Sequence, residues 1–173
     1  MIFDVWMIFF KEVVMFWMIE KSFIDNVFRE NVRPVRGSIV YCDLAVIGEH
    51  SGIYIGDNQI VHLDGSGEIE VVDPEDFLGR LDGLNPAMSI YVSCDGTTPV
   101  GKKSAAKRAE KMVGSSRDYS VLFDNCHQFT SGCLTGDFEN TDNYLWMLKK
   151  TARKKINAND WRVWETVDGE YVE

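Results

Sequence analysis

The chain is short of positive charge: 18 Lys and Arg stand against 27 Asp and Glu, a formal net charge of −9. Its bulk field therefore disfavours nucleic acid phosphates and anionic membrane surfaces, and no nucleic acid partner is expected. Cysteine is scarce as well. Cys42, Cys94, Cys126 and Cys133 are too few and too widely spread for a disulfide-stapled small domain, and no Cys-x-x-Cys pair suggests zinc or a redox centre. Cys126 and Cys133 lie seven positions apart, on one face of a helix but too distant along it for a bridge. Reduced thiols, a cytoplasmic setting and no metal or other cofactor are the expectation.

The opening MIFDVWMIFFKEVVMFWMIEK lacks both the basic start and the small-residue cleavage site of a secretory signal. Asp4, Lys11 and Glu12 also interrupt what a spanning helix of about 20 residues would keep uncharged. On a helix the three fall in a narrow polar stripe. Residues 1–30 are thus expected to form an apolar, amphipathic helix buried against its own domain or a second copy, a homodimer through residues 1–20. Peripheral membrane contact through the same residues is the alternative.

At 173 residues without internal repeats or low-complexity tracts, the chain is about one domain's worth. The segment NVRPVR reads as a linker, because Pro34 disfavours helix before it, and the folded core should start near Gly37. SIVYCDL, HSGIYIG and IVHLDG are rich in β-branched and aromatic residues and predict three strands of a meander, with a four-residue turn, 56–59, between the second and third. EIEVVD predicts a fourth strand, ending at the Asp73-Pro74 turn into a short helix, PEDFLGRL. MSIYVSC predicts another strand, and TTPVGKKSAAKRAEKMVG a helix closed by Gly114. The expected division is an N-terminal helix at 1–30, a catalytic domain at 31–150 and a polar C-terminal tail at 151–173, in which Trp161 and Trp164 pack on the domain.

DNCHQFTSG, residues 124–132, sets a cysteine at the start of a predicted helix. Asp124 or Asn125 is the N-cap, which puts Cys126 in the first turn, where unpaired N–H groups and the helix dipole favour a thiolate. A thiol nucleophile needs a base, and the base needs a third group to fix its tautomer. Three histidines are available: His50, His62 and His127. His127 adjoins the cysteine, so its side chain diverges by about 100° on a helix. His50 begins one strand and His62 ends the next, so an antiparallel hairpin would set them side by side, about 5 Å apart at Cβ. A structural role for either, or half of a metal site, is the competing reading of the residues alone.

RGSIVYC, EHSGIYIG, IVHLDG and DNCHQF, in that order, resemble the lecithin:retinol acyltransferase-like proteins, a branch of the NlpC-type cysteine hydrolase superfamily. In that family a histidine opens a strand of the type His-x-x-Ile-Tyr-x-Gly, a second follows twelve residues later in Val-His-Leu, and the nucleophile lies in Asn-Cys-Glu-His-Phe. The matching positions here are His50, His62 and Cys126, over about residues 36 to 136. The resemblance implies an α+β, circularly permuted papain-like fold, an antiparallel meander packed on helices with the nucleophile at a helix N-terminus. It further implies a catalytic triad in which Cys126 forms a thioester, His50 is general base and then acid, and His62 orients His50. The substrate class it implies is an acyl ester, with phospholipid as the family's donor. Two departures stand out: His127-Gln128 replaces the family's Glu-His, and NANDWRVWETVDGEYVE is polar and acidic where many animal members carry an apolar anchor.

The expected function is accordingly a thiol-dependent acyltransferase or acyl hydrolase. An NlpC-type amidase or peptidase using the same Cys126 and His50, on an amide substrate, is the second enzyme reading. A non-catalytic interaction module on this fold is the third.

Overall fold

The computed structural model describes residues 31–43, 48–79, 89–117, 125–167 and 170–172. The expected N-terminal helix of residues 1–30 and the alternative cap Asp124 lie outside the described residues.

The meander forms where the β-branched and aromatic runs predict strands, and β1 to β3 are buried on both faces. Strands β1 (Ile39–Asp43), β2 (Glu49–Gly56), β3 (Gln59–Leu63) and β4 (Ile69–Val72) pair antiparallel, each with the next. β5 (Tyr91–Asp95) pairs along the other side of β1 and also takes β6 (Thr98–Pro99) and β7 (Asp160–Val163). Helices α1 (Pro74–Leu78), α2 (Lys103–Met112), α3 (Cys126–Thr135) and α4 (Leu145–Ile156) complete an α+β architecture, with a small ribbon of β8 (Thr166–Val167) and β9 (Glu170–Tyr171) beside the sheet.

The two faces of the sheet have different covers. Ile39, Tyr41, Ile53, Val61 and Leu63 pack against the helices through residues such as Ala106, Phe129 and Leu148. Val40, Cys42, Tyr54, Ile60 and Val92 form the opposite face, closed by Phe77, Val32 and Trp164. Strand alternation produces this division: neighbours along one strand point to opposite sides.

The β2–β3 turn is tighter than the four residues read from the sequence. Gly56 pairs with Gln59, and only Asp57 and Asn58 turn, at φ 53° and 51°, the left-handed pair of a type I′ hairpin. The register then shifts between Tyr54 and Gly56. Ile55 is the extra residue, and its carbonyl accepts a hydrogen bond from the Arg36 guanidinium instead of extending the ladder. Because a slip of one residue exchanges the faces of a strand, this bulge decides what stands opposite what toward the start of β2.

Both ends of the described chain are tied into the sheet. Val32, in the segment read as a linker, is buried and bridges Trp164; its N–H donates to Val163 O at 2.9 Å and its carbonyl accepts from Glu165 N at 2.8 Å. Within the segment read as a polar tail, β7 adds a strand, and its alternation sends Trp161 toward the helices and Trp164 into the opposite face. Trp164 is fully buried between Tyr54 and Tyr171, at ring-centroid distances of 5.1 and 5.3 Å, and its indole N–H donates to Val172 O. Charged neighbours Asp160, Arg162 and Glu165 conceal this apolar pattern in composition.

Trp164→Ala should therefore cost about 3–5 kcal/mol, the usual range for deleting a buried aromatic. Urea unfolding measures it; a loss within about 0.5 kcal/mol, as at a surface position, would return the segment to the status of a tail.

Candidate active site

Helix α3 begins at its cysteine because Asn125 caps it. The Asn125 side-chain oxygen accepts from the amides of His127 at 3.0 Å and Gln128 at 3.2 Å, and its main-chain carbonyl accepts from Phe129. The other end of the same side chain donates to Asn143 O at 2.7 Å, holding the cap against the entry to α4. Gly136, at φ 90°, closes the helix in the left-handed conformation. Every residue from Cys126 to Leu134 is buried, so α3 is an internal helix gripped on all sides.

The Cys126 thiol lies at the start of β2. Its Sγ is 3.9 Å from the carbonyl oxygen of Glu49, and the Ser51 main chain and hydroxyl also hydrogen-bond it. Glu49 and Ser51, the β2 residues against the sulfur, therefore flank His50. Burial pushes the thiol up to about 11, while the bonds from Ser51 and the first-turn amides of His127 and Cys126 pull the other way without overcoming it. At neutral pH Cys126 is a thiol, not a stored thiolate.

Ser51 latches the helix to the sheet. Its Oγ is 2.9 Å from His127 Nδ1 and 3.1 Å from Thr130 Oγ1. The His127 ring is thus linked to the thiol's surroundings through Ser51. Burial, with a smaller contribution from the Lys149 charge, lowers its pKa to about 4, so its ring is neutral at physiological pH. Gln128, which with His127 departs from the family motif, exchanges hydrogen bonds with Asn140 through its side-chain nitrogen and its main-chain oxygen.

His50 and His62 are brought together, by a different geometry from the one expected. They do not face each other directly: His50 stands opposite Cys42, and Gly52 stands opposite His62. The two imidazoles meet on the diagonal, a separation of about 7–8 Å between residues in such pairs, and their rings close it with His50 Nε2 2.8 Å from His62 Nδ1. Gly52 permits the fit. A Cβ there would fall 2.7 Å from Ile60 Cγ2, 2.9 Å from Val61 O and 3.2 Å from His62 Cβ. Phe77, delivered by α1, packs on both rings at 4.9 and 5.8 Å, and His62 Nε2 is 3.6 Å from Glu70 Oε1.

The structure thus joins His50 to His62 and sets Cys126 on the main chain either side of His50. Sequence reasoning missed Ser51, Phe77 and Glu70. A small polar residue inside the apolar run EHSGIYIG was the only signal for Ser51, and Phe77 and Glu70 become visible only once the register is known. Cys42 and Cys133 are buried thiols raised by desolvation, and neither stands at a helix start. Among the described residues no group of three or more His, Cys, Asp or Glu is placed to hold a metal ion, and no helix is long and apolar enough to cross a membrane.

The family model of lecithin retinol acyltransferase matches residues 33–139. Human phospholipase A and acyltransferase 2 is 29% identical over 114 residues, which cover 57% of this chain and 69% of that protein. The family match spans the capped helix, the histidine hairpin and the strands that carry them.

The His127 environment gives a pH signature. A histidine whose folded pKa lies below its unfolded value near 6.5 leaves stability intact above that value and loses it as pH falls toward about 4. Between pH 7 and pH 5 the loss from this group should be about 2 kcal/mol. Urea unfolding of the wild type against His127→Gln measures it; parallel pH dependence in the two proteins would mean that His127 is not held neutral.

Proposed function

Because the chain belongs to the lecithin retinol acyltransferase family, we propose that it is a thiol-dependent acyltransferase or acyl hydrolase acting on a lipid ester through a thioester on Cys126. The observation that carries the reading is the placement of a buried thiol in the first turn of α3, against the residues flanking His50, with His50 hydrogen-bonded to His62. The name of the human relative supports a phospholipid as acyl donor. On the same reading the sheet and its buried helix are the circularly permuted papain-like arrangement.

His50 removes the thiol proton as the sulfur attacks the ester carbonyl carbon. A base is required at this step because the resting thiol is protonated. The carbonyl π electrons move to oxygen, and the resulting oxyanion is held by the Cys126 N–H at the helix start, where the dipole adds to the bond. As the tetrahedral intermediate collapses, the carbon–oxygen bond to the leaving alcohol breaks and the His50 imidazolium returns its proton to that oxygen. The acyl group now sits on sulfur as a thioester. A water molecule or an acceptor nucleophile, deprotonated by His50, attacks the thioester and frees the thiol. His62 acts on His50, by fixing its ring and sharing its charge, and not on the substrate.

Fatty acid and lysophospholipid release from phosphatidylcholine, followed with purified variants, tests the reading. Cys126→Ala should abolish turnover with folding intact. His50→Ala should lower kcat by about 10²–10⁴-fold, the usual worth of a general base, and His62→Ala by less. Small, equal effects of all three would contradict the triad, and turnover of amides with none of esters would move the enzyme to the amidase class.

A further inference from the structure

We infer that Glu70 is a positioning residue that selects the tautomer of the two histidines and thereby decides which nitrogen of His50 is the base; the inference rests on the triad reading above. Glu70 lies on β4 directly opposite His62 on β3, and paired residues of an antiparallel ladder project to the same face. The polar groups Glu70, His62 and His50 therefore step across three strands in one row, ending beside the residues that touch the Cys126 sulfur.

The hydrogen bond between His50 Nε2 and His62 Nδ1 has room for one proton, which belongs to one ring or the other. If it sits on His62 Nδ1, His50 must accept through Nε2 and carries its own proton on Nδ1, so no lone pair remains to take the thiol proton. If it sits on His50 Nε2, then His50 Nδ1 keeps its lone pair, His62 Nδ1 accepts, and the His62 proton resides on Nε2. Only the second arrangement makes His50 a base.

His62 is fully buried and solvent does not reach its Nε2. A proton there is favoured by an acceptor supplied by the protein, and the Glu70 carboxylate is 3.6 Å away. That carboxylate is half-exposed, at 44%, so it can rotate to hydrogen-bond length, about 2.8 Å for a charge-assisted bond, without disturbing the core. The same negative charge stabilises the imidazolium that forms on the pair when the thiol gives up its proton. The proton path then has a fixed direction: sulfur to His50 Nδ1, with His50 Nε2–H donating to His62 Nδ1 and His62 Nε2–H donating to Glu70.

The test reads the tautomer directly. In ¹⁵N-histidine-labelled protein, the side-chain nitrogen shifts of His62 should report a proton on Nε2 and an accepting Nδ1 in the wild type. In Glu70→Ala the two nitrogens should move toward the opposite or a mixed pattern, and Glu70→Gln, which keeps an acceptor oxygen at the same reach, should restore it. Turnover should follow, with kcat down about 10–100-fold in Glu70→Ala, KM unchanged, and most of the loss recovered in Glu70→Gln. An unchanged His62 tautomer in Glu70→Ala overturns the inference whatever happens to the rate, and so does an unchanged kcat. Failure of the underlying triad reading has a separate signature, activity that survives Cys126→Ala, and leaves the tautomer measurement interpretable.

Discussion

The hydrogen bond between His50 and His62, 2.8 Å from ring to ring inside a sheet, is the interaction on which the site depends. Two buried imidazoles joined edge to nitrogen are costly to place, because each polar atom must find its partner at the depth where water is absent. The surrounding chain is arranged to meet that demand. A two-residue left-handed turn and a bulge at Ile55 set the register, Gly52 lets β2 and β3 close up, and Phe77 packs on both rings. A change in any of these displaces a ring rather than deleting one.

The thiol is held by a second set of contacts, on the other side of β2. Asn125 fixes the start of α3 and ties it to the entry of α4, while Ser51, His127 and Thr130 bind the helix to the strand. Because successive residues of β2 face opposite ways, Ser51 serves the helix and His50 serves the histidine pair, and the Cys126 sulfur lies at the beginning of the strand, against the Glu49 carbonyl and Ser51. Burial sets the chemistry. With burial pushing its thiol up to about 11, Cys126 rests protonated at neutral pH, and in the proposed mechanism its reactivity depends on a base at the moment of attack. In that mechanism the tautomer of His50 decides whether the thiol proton can be taken.

Much of this was legible in the chain. β-Branched and aromatic residues in SIVYCDL, HSGIYIG and IVHLDG identified the meander, and Asp124 or Asn125 before Cys126 marked the helix start, because both signals are local. The diagonal placement of His50 and His62 was not legible: it depends on a bulge at Ile55, whose carbonyl accepts from Arg36, 19 residues away in sequence. Glu70 is invisible for the same reason, since a surface carboxylate in an alternating strand acquires meaning only from the residue opposite. Trp161–Trp164 was read as packing on the domain, yet its strand pairing was hidden by the charged residues around it, which are only partly buried while the indole of Trp164 fills the core.

The most direct test of the account is rapid-quench intact-mass analysis of the protein mixed with a short-chain phosphatidylcholine, followed by peptide mapping. The account predicts an acyl-sized mass increment on Cys126 in the wild type, formed far more slowly in His50→Ala and absent in Cys126→Ala. An increment that maps to another residue, or that forms at the same rate without His50, would contradict it.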